Sequence, residues 1–386
     1  MSDRRLIVGA VGVSALGDFL LWIPLTLHVH ERTGSGAAVA ALMICLWGPV
    51  VVLAPAAGLL ADRVETRRLL VWASLAQMCV TAALAFALDS TAAILGLAAL
   101  LGTGFAVSQP AEFALVPVIA RGTELNGAVE AARYVGMTAG PLAGGVLAAA
   151  GGTTVALLVD AATFAFVALA AALLRARREP APRVAGERAR DGVVLLFRDR
   201  ALGVVITTVL ASLLFMSASI AAEVVFLKVD LSLDATAYGV LFSSWTVGMV
   251  FGAVVVSRRL RTGALTGTAL VAVAVQGAGL GLPTVWLAAG FAAAMWFTGG
   301  IGHGVKNVLA RALIQERVAE RFHGRAFAAY NGLRNGAELV ALAWGGLLVV
   351  AIGARGTLAL AGALSVLAAL GGLLAFRRPD AAPAPT

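Results

Sequence analysis

Twelve apolar blocks, each long enough to cross a lipid bilayer, occupy almost the whole of the 386-residue chain. They run over 6–27, 37–60, 69–88, 92–119, 128–150, 153–174, 201–227, 236–256, 265–282, 285–309, 326–350 and 357–376. A membrane helix needs about twenty apolar residues. The blocks are too long for barrel strands and show no dyad alternation. Charged residues make up 13% of the chain and apolar residues 60%, where a soluble domain carries about a quarter charged. Only lipid solvates apolar surface on that scale, and its spread along the chain excludes a soluble domain with one anchor. Arg4 and Arg5 precede the first block as in a signal peptide, but the run is too long for one and lacks a cleavage site, so it reads as the first span.

The charge of the connections sets the orientation. With the N-terminus inside, the inner segments hold Arg4, Arg5, Arg63, Arg67, Arg68, Arg121, the arginines from 175 to 200, Arg258, Arg259, Arg261, Arg311, Arg317, Arg321, Arg325, Arg377 and Arg378. The outer segments hold only Arg32, Lys228 and Arg355. This is the cytoplasmic enrichment of Lys and Arg that fixes topology, and it places both termini in the cytoplasm. The net charge of +8 is thus a topology signal and does not indicate nucleic acid as a partner. Cys45 and Cys79 lie inside apolar blocks without metal-ligand or disulfide spacing, so no metal and no cofactor is expected.

The blocks divide into two sets of six. A half over 1–174 is followed by an arginine-rich linker over 175–200 with Pro180 and Pro182, a second half over 201–376, and a tail over 377–386. The end of the linker, 192–200, fits a short amphipathic helix on the membrane surface. A shift of 198 residues places Trp47 on Trp245 and Ala114–Leu115 on Ala312–Leu313; three residues more place Arg133 on Arg334 and Gly144–Gly145 on Gly345–Gly346. Together these favour a parallel six-plus-six repeat, the arrangement of alternating-access transporters. The fold expected is an all-α membrane protein of twelve helices in two pseudo-symmetric halves.

Two motifs sharpen this. After the second block the chain reads Gly58-Leu59-Leu60-Ala61-Asp62-Arg63-Val64-Glu65-Thr66-Arg67-Arg68. Gly58 lets two helices touch, and Asp62 suits a neighbouring helix N-terminus or an arginine. Arg63, Arg67 and Arg68 are placed to pair across the interface between halves as a cytoplasmic gate. The stretch resembles the signature of the major facilitator superfamily, G-x-x-x-D-R-x-G followed by two basic residues, with Glu65 where the family has its second glycine. In the fifth block, Gly136, Gly140, Pro141, Gly144 and Gly145 resemble the G-x-x-x-G-P-x-x-G-G motif of that superfamily's drug:proton antiporters. Glycines four apart form a groove for a partner helix, and proline introduces a bend. A generic small-residue packing face is the alternative reading.

Shorter stretches resemble the bacterial exporter branch that includes enterobactin exporters and macrolide efflux proteins: Ser14, Gly17 and Asp18; Gln109-Pro110-Ala111; and His323-Gly324-Arg325-Ala326. The resemblance implies a proton-driven exporter of amphipathic small molecules in a bacterial inner membrane, acting as a monomer with protons, substrate and the lipid bilayer as its partners. Ala98 stands where many antiporters carry an arginine. The family further implies that spans one, four, seven and ten line the cavity, and there the chain has Ser14, Asp18, Trp22, Gln109, Glu112, Glu223, Trp296, His303, Lys306 and Asn307. Asp18 lies about twelve residues, or roughly 18 Å, into its helix and is the first candidate for proton coupling; a structural pairing with a residue such as Lys306 is the alternative. Glu112 is the second coupling candidate or an interfacial anchor, and Glu223 has an interfacial position. Glu130 with Arg133, and Arg334 with Glu338, share helix faces by spacing and belong with the gate. Asp160 stands alone in the sixth block with no assigned role. A proton-coupled importer or a lipid flippase would use the same fold. A membrane-embedded enzyme is disfavoured, because no nucleophile elbow or metal motif is present, and an ATP-driven pump because no phosphate-binding loop is.

Overall fold

The apolar blocks of the sequence become helices because lipid leaves the backbone no other hydrogen-bond partners than its own. In the computed structural model residues 2–120, 123–180, 191–232, 235–259 and 265–377 are described. The centre of the expected linker with Pro182, the basic residues Arg121, Arg261 and Arg378, and nearly all of the expected tail lie outside them.

The first span runs through Leu21 with helical dihedrals, and the second is sharply bent. Helices α1 (Asp3–Leu20) and α2 (Trp22–Thr33) meet at Leu21, and α2 ends on Gly34 in the left-handed region, φ 61°. Helices α3 (Gly36–Val52) and α4 (Ala54–Arg63) are bent by 54° at Leu53. Pro55 in the first turn of α4 removes a donor the bend leaves unneeded. Helices α5 (Thr66–Phe86) and α6 (Thr91–Ile119) are the third and fourth spans. Ser35 caps α3 and Ser90 caps α6 by accepting from the amides of Ala38 and Ala93.

Helix α7 (Thr123–Leu173) contains the fifth and sixth spans in one run, turned at Gly152 (φ 78°, ψ 172°), a conformation open essentially to glycine alone. A short α8 (Asp191–Arg198) coincides with the surface helix expected at the end of the linker. The seventh span is α9 (Arg200–Ala218), capped by Asp199 on the amide of Leu202, then α10 (Ile220–Val225) and a π-helical turn Phe226–Asp230. The eighth is α11 (Ala235–Phe251), also ending in a π-helical turn, and the ninth is α12 (Leu265–Gly281). Helix α13 (Ala289–Arg317) is the tenth. The last two share α14 (His323–Arg377), turned at Gly353 (φ 72°, ψ 170°).

The repeat expected from sequence recurs in the geometry. Helices α6 and α13 both have 29 residues and are displaced by 198. Gly152 and Gly353, the two turning points, are displaced by 201, the same shift that relates Arg133 to Arg334. The aromatic contact Trp47–Phe105 (ring centroids 6.0 Å) has its counterpart, 198 residues on, in Trp245–His303 (5.9 Å).

By contacts the chain forms two units, Met1–Leu195 with Ile314–Gly336, and Leu196–Leu313 with Ala337–Thr386. The first has an apolar core of Leu21, Leu42, Leu46, Leu84, Leu101, Phe105 and Phe164; the second is built around Phe226, Leu241, Leu280, Trp296 and Leu358. Large apolar side chains also face outward, Val350 at 86% and Phe86 and Val52 at 76% exposure, as lipid-facing surfaces require.

Candidate functional site

In the first unit, the residues around Asp62 form a buried charged cluster. Asp62 lies in the last turn of α4 and is 1% exposed. Its carboxylate accepts from the amides of Gly324 (2.8 Å) and Arg325 (3.1 Å) in the first turn of α14. It also accepts from Arg325 Nε (2.9 Å) and Arg178 Nη2 (2.8 Å). A helix N-terminus and two guanidinium groups thus converge on one carboxylate, a combination that favours its ionised form. Arg178 continues through Nη1 to the carbonyl of Ala61 (3.1 Å) and through Nε to that of Glu320 (3.2 Å). The approach depends on small residues: a Cβ on Gly58 would lie 2.8 Å from Arg325 Cα, and one on Gly324 would lie 2.9 Å from the Ala61 Cβ.

Asp62 thus meets a helix N-terminus and two arginines, and Gly58 lies against α14, while the basic residues of the motif turn elsewhere. Arg68 and Arg67 turn to Glu65, at 2.7 and 3.4 Å, and Arg67 also donates to the carbonyl of Leu174 (2.9 Å). Glu65, where the motif has glycine, holds the two arginines expected to reach across an interface. Arg63 is exposed. Asp62 takes its cations from elsewhere in the chain, and Arg178 was not singled out by sequence. The start of the linker is strapped down as well: the amides of Arg175 and Ala176 donate to Asp3, and the carbonyl of Arg178 accepts from Thr66. His323 sits against the cluster with its Nε2 3.0 Å from the Val318 carbonyl. Burial pushes its pKa below the usual histidine value, the Val318 carbonyl works against that shift, and the positive charge of Arg178 adds to it.

A second group lies within the spans of the same unit. Arg133, expected beside Glu130, reaches Glu112 on α6 (2.8 Å) and covers the ring of Phe113 at 4.8 Å. Glu112 is thereby committed to a cation of the protein. Glu130 is fully buried one turn from Arg133; Arg334 belongs to this unit as well, whereas Glu338, four residues on in α14, belongs to the second. Asp18 is within electrostatic reach of Asp160, Arg133 and Glu112. Asp160, unassigned from sequence, is fully buried and accepts from the Thr163 hydroxyl (3.1 Å). A Cβ on Gly17 would collide with both Thr163 Oγ1 and Asp160 Oδ1, which sets α1 directly on the sixth span beside Asp18.

The glycine motif explains how α1 is held. Gly136 packs on the Gly12 carbonyl and Leu16 amide, Gly140 on the Leu16 carbonyl and Phe19, and Gly144 on Leu20. Spaced by four, they form one ridge of contact along α1. Gly145 meets nothing within 4 Å and takes no part. Pro141 stands within the helix beside this ridge.

The other cavity candidates fall in both units. Ser14 and Gln109 are half-buried, and Trp22 is 40% exposed with its ring 5.6 Å from that of Phe19. In the second unit, His303, Lys306 and Asn307 are buried along one face of α13, with His303 edge-on to Trp245. Trp296 is buried in the unit's apolar core. Glu223 is half-buried on α10. Among the described residues no group of three or more His, Cys, Asp or Glu is placed to hold a metal.

The backbone resembles several solved transporters. A bacterial homologue of the iron transporter ferroportin, in an outward-facing state, superimposes with TM-score 0.80 at 15% identity, covering 98% of this chain and 100% of that one. The human organic anion transporter MFSD10 (TETRAN) gives 0.74 at 17%, covering 96% and 99%, and the E. coli fucose:proton symporter FucP gives 0.68 at 13%, covering 96% and 98%. At these identities the likeness establishes the fold. No curated protein matches the sequence significantly. The family model described as transmembrane secretion effector matches residues 4–383. With the helices of the two repeats and the buried Asp62 cluster in place, the chain belongs to the transmembrane secretion effector family, and is a multi-pass membrane transporter of the major facilitator type.

Proposed function

We propose that the protein is a proton-coupled exporter of amphipathic small molecules, residing as a monomer in a bacterial inner membrane with both termini in the cytoplasm. The observation that carries this reading is the seating of Asp18. Its helix is gripped by Gly136, Gly140 and Gly144, the antiporter-like motif, over the stretch from Gly12 to Leu20 that contains it. A change in the charge of Asp18 therefore acts on a seam of backbone contact, where small residues let helices slide and reseal. Glu112 is the weaker coupling candidate, because Arg133 already balances it. The Asp62 cluster then serves as the cytoplasmic latch. It closes when the start of α14 docks on Asp62 and Arg178, and it opens when that docking is lost.

The test is efflux from cells lacking their major pumps, with and without a protonophore, for the wild type and Asp18→Asn. Asp18→Asn should abolish proton-driven efflux in a protein that still assembles in the membrane. Retained transport with an unchanged pH dependence would refute the assignment. Movement of a fluorescent lipid by purified protein in liposomes would instead identify a flippase.

A further inference from the structure

The sixth span carries a buried acid that none of the motifs accounts for. Asp160 is fully buried, and its Oδ2 has no hydrogen-bond partner among the described residues. Asp18 Oδ1 is in the same condition. Buried polar atoms in native proteins are almost always satisfied, so two such oxygens on adjoining helices mark a place for something small and positively charged. The helices meet there as closely as they can: Gly17, the neighbour of Asp18, abuts Asp160 Oδ1 and Thr163 Oγ1 with no room for a Cβ. The charged groups facing Asp18 are Asp160 on α7, Glu112 on α6 and Arg133 on α7. Arg133 is hydrogen-bonded to Glu112 and also acts on Asp18 electrostatically, so one cation is shared among three carboxyl groups. Two carboxylates in one dry site do not both stay ionised.

We infer that Asp18 and Asp160 form a single two-carboxyl site that holds one proton in common. The proton joins Asp18 and Asp160 across the contact between the first and sixth spans, and Thr163 donates to the Asp160 oxygen that remains negative. On release, one O–H bond of the pair breaks, the proton leaves to water, and the two negative charges repel across the Gly17 contact. Asp160 is thus the second member of the coupling site. This rests on the coupling role proposed above for Asp18, and it adds a residue and a geometry to it.

The experiment is an infrared titration of the carboxyl C=O stretch in the purified full-length protein reconstituted in liposomes. It needs neither substrate nor gradient, so its outcome is separate from that of the efflux test. A protonated carboxyl band should titrate in the wild type. In Asp160→Asn and in Asp18→Asn its midpoint should fall by at least about one pH unit, a tenfold weaker proton affinity, because the neighbouring negative charge that retained the proton is gone. Thr163→Val, which removes a donor to the charged form, should raise the midpoint, and it supplies the test if Asp160→Asn does not assemble. An unchanged midpoint in Asp160→Asn or in Thr163→Val overturns the shared site. So does a band that shifts equally with sodium and with pH, which would assign the site to a metal cation.

Discussion

Replacing Asp62 by asparagine keeps the shape of the side chain and removes its charge. Four donors converge on the native carboxylate: the Gly324 and Arg325 amides, Arg325 Nε and Arg178 Nη2. The amide has one accepting oxygen, and its NH2 group would face donors on the other side. Two charge-assisted hydrogen bonds are lost, worth about 1.5–3 kcal/mol each. Arg178 and Arg325, at 4% and 3% exposure, are left buried beside a neutral group. The total agrees with the about 3–5 kcal/mol seen when one partner of a buried ion pair is removed. At about 1.4 kcal/mol per factor of ten, the docking of α14 on Asp62 should weaken by at least about a hundredfold. Hydrogen–deuterium exchange of the protein in nanodiscs reads this directly, because the amides of Gly324 and Arg325 are themselves the donors. Their exchange should accelerate by about a hundredfold or more, while the peptide carrying Gly136 to Gly144 keeps its protection. Acceleration of less than tenfold, or equal acceleration in both regions, would show that Asp62 does not hold the start of α14.

Gly144→Ala should lower thermal stability by about 1–3 kcal/mol, since its Cβ meets the Leu20 carbonyl, while Gly145→Ala, in open space, should stay within about 0.5 kcal/mol; equal effects in a fluorescence-detected melting series would contradict the seam. Gly152→Ala and Gly353→Ala should each cost about 1–3 kcal/mol through their positive φ, checked in the same series. His323, held neutral by burial, contributes stability that is complete above its unfolded pKa of about 6.5 and declines as pH falls below it, because the unfolded chain then binds the proton more readily. His323→Gln should flatten the melting temperature between pH 7 and pH 5; an unchanged slope would remove His323 from the cluster.

The helical architecture was largely legible in the sequence, because lipid imposes one solution on an apolar block. The repeat was legible too, from Trp47 and Arg133. Pairings were harder to read. Local spacing put Arg133 with Glu130, yet its hydrogen bond goes to Glu112, on another helix and outside any helical spacing. Arg178 meets Asp62 across 116 residues of sequence, and in a linker crowded with arginines nothing marks one as different. Asp160 read as isolated because a lone acid in an apolar run does not show which helix will face it. Gly145 fits the motif as text, but a helix presents every fourth position to a neighbour and its next residue points elsewhere.

The two turning glycines, Gly152 and Gly353, show that the halves kept one backbone plan. Their chemistry did not stay alike. Under the shifts that align the geometry, Asp18 corresponds to Met216, Glu112 to Ala310 and Asp160 to Ala361. The two halves therefore place their ionisable side chains differently: carboxylates at these three positions in the first, and buried His303 and Lys306 on α13 in the second. Such a molecule gives directed evolution an unequal pair of targets. Substitutions in the second half at these positions exchange one uncharged side chain for another, whereas at their counterparts in the first half any apolar replacement removes a carboxylate.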